Sequence, residues 1–147
     1  MKSKPNDYLK FWRVIRYFYK IKYKLGQADL DMLLFLYSED YFSKDTFVEF
    51  NELLSWDVNR FARLKRNGWI VVFRPRVGKK RAMYELSYKA KRMIGEIYKK
   101  LNGDEIPDSS SYNPIFKKNV SYSDKVYRNM IKSMNETIRQ QRHQTPE

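Results

Sequence analysis

The chain has 147 residues, a length for one domain with an added helical arm, and a hydrophobic fraction of 42% that is ample for a folded core. Its formal net charge of +13 calls for an anionic partner: nucleic acid, an anionic membrane surface or an acidic protein. The absence of cysteine excludes disulfide scaffolds, cysteine-based zinc sites and thiol chemistry.

The basic start MKSKPNDYLK leads into FWRVIRYFYKIKYK, which charge interrupts throughout, so it reads as neither a signal peptide nor an anchor. No apolar run approaches the roughly 20 residues of a membrane span. Asn6 or Asp7 is a suitable cap for a first helix running to Leu25, with Gly26 as its stop. Tyr8, Phe11, Trp12, Val14, Ile15, Phe18, Tyr19, Ile21, Tyr23 and Leu25 spread over half of that cylinder, wider than the stripe of about 100° usual for a surface helix. Lys10, Arg13, Arg16, Lys20 and Lys24 gather on the rest. So wide an apolar arc needs two covering surfaces, its own domain and, by expectation, a second copy of the chain.

A second helix is predicted over 27–38, with Asp29 and Asp31 favourably placed near the positive end of its dipole and Leu30, Leu33, Leu34 and Leu36 or Tyr37 facing the core. Ser43 reads as the cap of a short third helix carrying Phe47, Val48 and Phe50. A fourth runs over 57–67 to Gly68, with Val58, Phe61 and Leu64 at core spacing. WIVVFR (69–74) and RAMYEL (81–86) have strand character, and the intervening PRVGKK makes a hairpin with a basic tip. A fifth helix is predicted over 87–101, stopped by Gly103. The polar stretch 104–120, with Pro107, Pro114 and three serines in a row, reads as a linker. A last helix starts at Ser121, with Asp124 at capping-box spacing and an apolar seam of Tyr127, Met130, Ile131, Met134 and Ile138. The expected organisation is a DNA-binding domain over 1–103, a linker over 104–120 and a helical arm with a polar tail over 121–147.

A helix-turn-helix followed at once by a basic hairpin is the winged form of that motif, in which the second helix enters the major groove. The expected fold is therefore mainly α with a small β-hairpin: a winged helix-turn-helix with flanking N- and C-terminal dimerisation helices. Charge is segregated accordingly. From Arg60 to Arg81 the chain carries Arg60, Arg63, Lys65, Arg66, Arg74, Arg76, Lys79, Lys80 and Arg81 and no acid. From Asp29 to Asp57 it carries eight acids against Lys44 alone. Asn can bond an adenine edge and Arg a guanine edge, so Asn59 and Arg60 are expected to read bases. Arg63, Lys65 and Arg66 are expected on phosphates, with Arg74, Arg76, Lys79, Lys80 and Arg81 as the wing. The competing account of the fourth helix is an ordinary amphipathic helix with a solvated basic face.

The segments LGQADLDMLLFL, VNRFARLKRNGWI and YELSYKAKRM resemble the MarR-like family of winged-helix regulators, and the resemblance covers roughly Tyr8 to Leu101. Leu64 stands four residues before Gly68, as a leucine does in that family, and Leu86-Ser87 matches its Leu-Thr pair after the wing. The family's Asp-x-Arg wing pattern is replaced, with Gly78 at the Asp position, Lys80 at the Arg position and Arg81 one place off. KDTFVEFNELL also departs from the usual small-residue helix. The resemblance implies a homodimer formed by the first and last helices on a pseudo-palindromic site. The dimer surface would comprise Phe11, Trp12, Ile15, Phe18, Tyr19, Tyr127, Met130, Met134 and Ile138. The alternative for the last helix is that it folds back on its own domain.

No catalytic or metal-binding constellation is present in the sequence. His143 is solitary in a polar tail, no phosphate-binding glycine loop or GxSxG occurs, and the acids of LGQADLDM and SEDYFSKD sit at a helix start and in a loop. Most aromatic residues fall at core spacing, with Trp56, Tyr112 and Tyr122 as exceptions. The expectation is a cytoplasmic, non-enzymatic protein without a cofactor that binds double-stranded DNA. A small-molecule effector stays open, although no residue indicates one. The competing class is a structural, replication or packaging protein that docks through a winged helix with little sequence preference.

Overall fold

A computed structural model describes residues 8–144. Among them are six α-helices and one three-stranded antiparallel sheet: α1 (Tyr8–Tyr23), α2 (Gln27–Tyr37), β1 (Tyr41–Phe42), α3 (Lys44–Glu52), α4 (Arg60–Arg66), β2 (Ile70–Arg74), β3 (Met83–Leu86), α5 (Tyr88–Leu101), a 3-10 turn (Pro114–Phe116) and α6 (Tyr122–Gln144). The expected cap at Asn6 or Asp7 and the side chain of His143 lie outside the described residues. No helix among those described is long and apolar enough to cross a membrane. The chain divides into two compact units, residues 25–95 and residues 1–24 with 96–147, rather than at the expected boundaries of 103 and 120.

The 25–95 unit is built on α2, which buries Leu30, Met32, Leu33 and Leu36. Gly26 caps its start in an extended conformation (φ −71°). Lys24, at φ 55°, takes the left-handed position after α1 that was expected of Gly26. The Ser43 hydroxyl accepts the Thr46 amide at 3.3 Å and so starts α3. β1, which the sequence reading treated as loop, pairs with β3, and β3 with β2, giving the order β1–β3–β2. The registers Phe42↔Tyr84 and Ile70↔Leu86 place these four residues on one face of the sheet. On that face, Phe42, Tyr84, Phe61 and Phe47 form a chain of aromatic contacts with centroids 5.0–6.2 Å apart. On the other face Tyr41 stacks on Phe73 at 4.0 Å, where the ladder is irregular between Val72 and Arg74.

In the second unit α1 packs on α6 and on the 3-10 turn. The Tyr17 and Tyr127 rings stack at 3.8 Å, and the Tyr17 hydroxyl donates to Asp124. The Ser121 hydroxyl accepts the Asp124 amide at 3.1 Å, capping α6. The expected dimer surface is consumed inside the single chain. Phe11, Ile15, Phe18, Tyr19, Met134 and Ile138 are all buried, Tyr127 is stacked on Tyr17, and Trp12 and Met130 are half-buried. These side chains pack within their own chain, with α6 against α1, so the residues expected to meet a partner form the core of this unit.

The expected linker is also ordered. Ile106 and Ile115 are buried, and burying that backbone requires partners for its amides and carbonyls. Asn135 supplies two of them: its Oδ1 accepts the Ile106 amide at 2.9 Å and its Nδ2 donates to the Ile106 carbonyl at 2.8 Å. Asn113 donates to the Pro107 carbonyl at 2.7 Å and accepts the Ile115 amide at 3.0 Å. A composition that reads as a loop is held here by polar side chains that bond to the main chain.

Candidate nucleic-acid interface

The helix expected over 57–67 is shorter, and its phase differs. Leu53–Asn59 forms the connection, in which the Asp57 carboxylate accepts the Asn59 amide at 2.9 Å in an Asx-type turn. The helical turns begin at Arg60, so that Arg60 and Leu64, four residues apart, occupy the buried face. Val58, assigned to the core from its spacing, lies before the first turn and is 67% exposed. Gly68 ends the helix at φ 80°, a conformation that penalises a side chain, and the Trp69 amide closes back on the Leu64 carbonyl at 2.9 Å.

Arg60 therefore does not read bases. It is 2% exposed, and its guanidinium donates to Asp29 Oδ1 at 2.9 Å, to the Ser55 carbonyl at 3.1 Å, to the Ser55 hydroxyl at 3.3 Å and to Asn51 Oδ1. Arg63, expected on a phosphate, bonds Asp29 at 2.8 and 3.0 Å and Asp57 at 2.7 Å. Two carboxylates thus bind both arginines, and Asp29, expected merely to favour a helix dipole, is the centre of the network. The Asp29 and Asp57 hydrogen bonds raise the Arg63 guanidinium further above its ordinary value. Arg63, and then the Asn59 amide, hold the Asp57 carboxyl below its own. The arrangement clamps α4 to α2 and to the end of α3. It gives α4 a fixed pose and withdraws two of its four cations from an incoming anion.

What α4 leaves outward is Asn59, Lys65 and Arg66, all exposed. Next to them stands the hairpin, whose residues 71–81 are all exposed. Val77 and Lys80 exchange backbone hydrogen bonds of 2.9 and 3.1 Å around Gly78, at φ 59°. A positive φ at the first central residue of a two-residue turn is what the II′ geometry requires, and glycine meets it without strain. Arg76 Nε donates to the Gly78 carbonyl at 3.3 Å and Arg74 to the Arg81 carbonyl at 3.4 Å, so these cations also brace the loop. Lys79 and Lys80 form the tip.

The helical and hairpin cations meet around one aromatic pair. The Phe61 and Tyr84 rings contact edge to face at 5.0 Å. Lys44 Nζ lies 5.3 Å from the Phe61 centroid and Lys65 Nζ 5.7 Å from that of Tyr84. Tyr84 also lines an open cleft of about 440 Å³ with Lys44, Asp45, Arg76, Lys79, Arg81 and Ala82. Asp45, at the start of α3, pairs with Arg81 and is the cleft's one acidic lining residue among those described. Sequence reading missed Lys44, dismissed as a lone base in an acidic stretch, although its place directly after the Ser43 cap puts it at the mouth of α3. Trp56 is 83% exposed on the α3–α4 connection, and Tyr112 and Tyr122 are exposed in the other unit.

No group of three or more His, Asp or Glu residues among those described is placed to hold a metal ion. Asp57 and Arg63, which are ion-paired, are perturbed groups of this unit. The arrangement places several cations around one open cleft. No family model matches the chain, and comparisons with curated proteins and with solved structures found no match.

Proposed function

We propose that the chain is a winged-helix protein that binds double-stranded DNA as a transcription regulator. The observation that carries this reading is the cleft at Tyr84, lined by Lys44 of α3 and by Arg76, Lys79 and Arg81 of the basic hairpin, with Lys65 of α4 5.7 Å from the Tyr84 ring centroid. The order α2–β1–α3–α4–β2–β3 with sheet order β1–β3–β2 supports it. α4 then lies in the major groove with Asn59 toward a base edge, while Lys65, Arg66 and the wing residues Arg74, Arg76, Lys79, Lys80 and Arg81 neutralise phosphates. Each neutralised phosphate releases counterions, so affinity falls steeply with salt. In this reading binding, not catalysis, is the activity.

One observation favours a second reading, that of an architectural or packaging protein with little sequence preference. With Arg60 and Arg63 held by Asp29 and Asp57, α4 keeps few side chains able to discriminate bases. Selection of bound duplexes from a random pool separates the two. A regulator recovers a consensus bound at least about 10³-fold more tightly than random duplex, whereas an architectural protein recovers none. Failure to retain any duplex at low salt would reject both.

A further inference from the structure

Most of the chain's excess positive charge lies outside this interface. The unit of residues 1–24 and 96–147 holds 17 Lys and Arg against 8 Asp and Glu, whereas residues 25–95 hold 13 against 9. On one side of α6 stand Lys125, Arg128, Lys132, Arg139 and Arg142, and the two ends of this row differ. Toward the C-terminus, Glu105 engages Arg139 at 2.6 Å and Arg142 at 3.2 Å. Toward the N-terminus, Lys125, Arg128 and Lys132, together with Lys117 and Lys118, meet no carboxylate among the described residues.

Two of these five cations share one aromatic ring, and the others flank it along the chain or lie on the same side of α6. The Arg128 guanidinium and Lys132 Nζ lie 5.5 and 5.9 Å from the centroid of the same Phe116 ring. Lys117 and Lys118 follow that ring directly in the chain. Arg128 is fixed there, donating to the Ile115 carbonyl at 3.0 Å and to the Lys117 carbonyl at 2.9 Å. Like charges gathered without a counter-charge repel one another, and an anion seated among them relieves that repulsion. Lys125 and Lys132 are seven residues apart, about 10 Å along the helix, a reach suited to successive phosphates of one strand rather than to one small anion. A membrane surface fits less well, because an interfacial helix must insert an apolar face. The apolar faces of α1 and α6 are already buried, as Val14, Ile15, Phe18, Ile131, Met134 and Ile138 attest.

We infer that the cluster Lys117, Lys118, Lys125, Arg128 and Lys132 is a second phosphate-contact surface, which grips the backbone of nucleic acid without reading its bases. The inference rests on the reading that the chain binds nucleic acid, yet it uses residues that α4 and the hairpin do not. The test titrates the full chain with a labelled duplex of random sequence over a range of salt, and in parallel with phosphatidylserine-containing vesicles. The triple variant Lys118→Ala, Lys125→Ala, Lys132→Ala is compared with the hairpin variant Lys79→Ala, Lys80→Ala. All five side chains are exposed, so both variants should fold, and thermal melting of each is compared with wild type to check it.

The triple variant is expected to lose about tenfold or more in duplex affinity, and its salt slope should fall by about 2 to 3, near 0.9 per phosphate contact removed. Unchanged affinity and slope in the triple variant, while the hairpin variant weakens, overturns the second surface and leaves the winged-helix reading intact. Loss in the triple variant alone sustains the second surface and rejects the hairpin as a contact. Loss of vesicle binding with unchanged duplex binding assigns the cluster to a membrane and overturns the inference, as does a wild-type chain that binds no duplex.

Discussion

Two neighbouring segments of this chain are equally basic in sequence and opposite in structure. Arg60 and Arg63 of α4 turn inward onto Asp29 and Asp57, whereas Lys79 and Lys80 of the hairpin tip stand in solvent. The same contrast recurs along α6, where Glu105 captures Arg139 and Arg142 while Lys125 and Lys132 stay outward. A cation's contribution to binding an external anion depends on whether the fold has already given it a carboxylate. Counting basic residues along a helix cannot reveal this, and net charge per segment overstates what α4 offers to an external anion.

The sharpest way to break this comparison is to remove a captured cation. Arg60→Ala leaves Asp29 buried with one guanidinium fewer and strips partners from Asn51 and Ser55. Breaking a buried pair from one side costs about 3–5 kcal/mol. Urea denaturation should show a loss of that order, and a variant as stable as the parent would mean that Arg60 is not the clamp described. By contrast, Lys79→Ala with Lys80→Ala should leave the denaturation midpoint within about 0.5 kcal/mol of wild type, as substitutions at open surface positions do. Its effect should appear in duplex binding, with the salt slope reduced by about 2.

The capture of α4 also has an acid limit. Arg63 and the Asn59 amide lower the Asp57 carboxyl below its ordinary value of 3.8, so its contribution to stability is present above that value. The contribution is lost as pH falls further, through the lowered folded value. Stability measured from pH 5 down to pH 2 should therefore decline with an acid slope that Asp57→Asn reduces. In the other unit the sign reverses. Burial, and then the Asp124 carboxylate, push the Tyr17 phenol up to about 12 from 10.0. The neutral phenol is the favoured form, so its contribution is intact below pH 10 and lost as pH rises from about 10 to about 12. Tyr17→Phe should flatten that alkaline decline without abolishing it, since burial raises Tyr19 as well.

The sequence made the punctuation of the fold legible, because capping and turn chemistry are local. Ser43 and Ser121 cap where expected, Gly68 stops α4, and the hairpin turns at Gly78. It concealed the partnerships. Arg60 occupies a core-facing position four residues before Leu64, yet a cation is read as solvent-facing unless its carboxylate is known. A clue did exist, since Asp29 shares a face with Leu33 and Leu36, an acid at apolar spacing that requires a buried counter-charge. Asn113 misled in the same way: its polarity signalled a loop, while its role, like that of Asn135 on α6, is to bond the backbone of a buried segment. The two-residue strand β1 is too short for periodicity to detect, and β3 creates it by pairing.

The finest test of captured against open cations lies within the cleft, where Asp45 pairs with Arg81 and would compete for it with the phosphate proposed above. Both side chains are mostly exposed, at 72% and 66%, and exposed ion pairs contribute about 0–1 kcal/mol, so the competition is weak. Asp45→Asn keeps the size of the side chain and removes its charge, releasing Arg81 and taking one negative charge from the path of the DNA backbone. Duplex affinity should rise by about two- to fivefold, most at low salt, where Coulomb effects are least screened. The stability of the protein should not change measurably. If affinity stays constant across the salt range, then Arg81 does not face the DNA, and the contact surface is confined to Lys65, Arg66 and the hairpin tip.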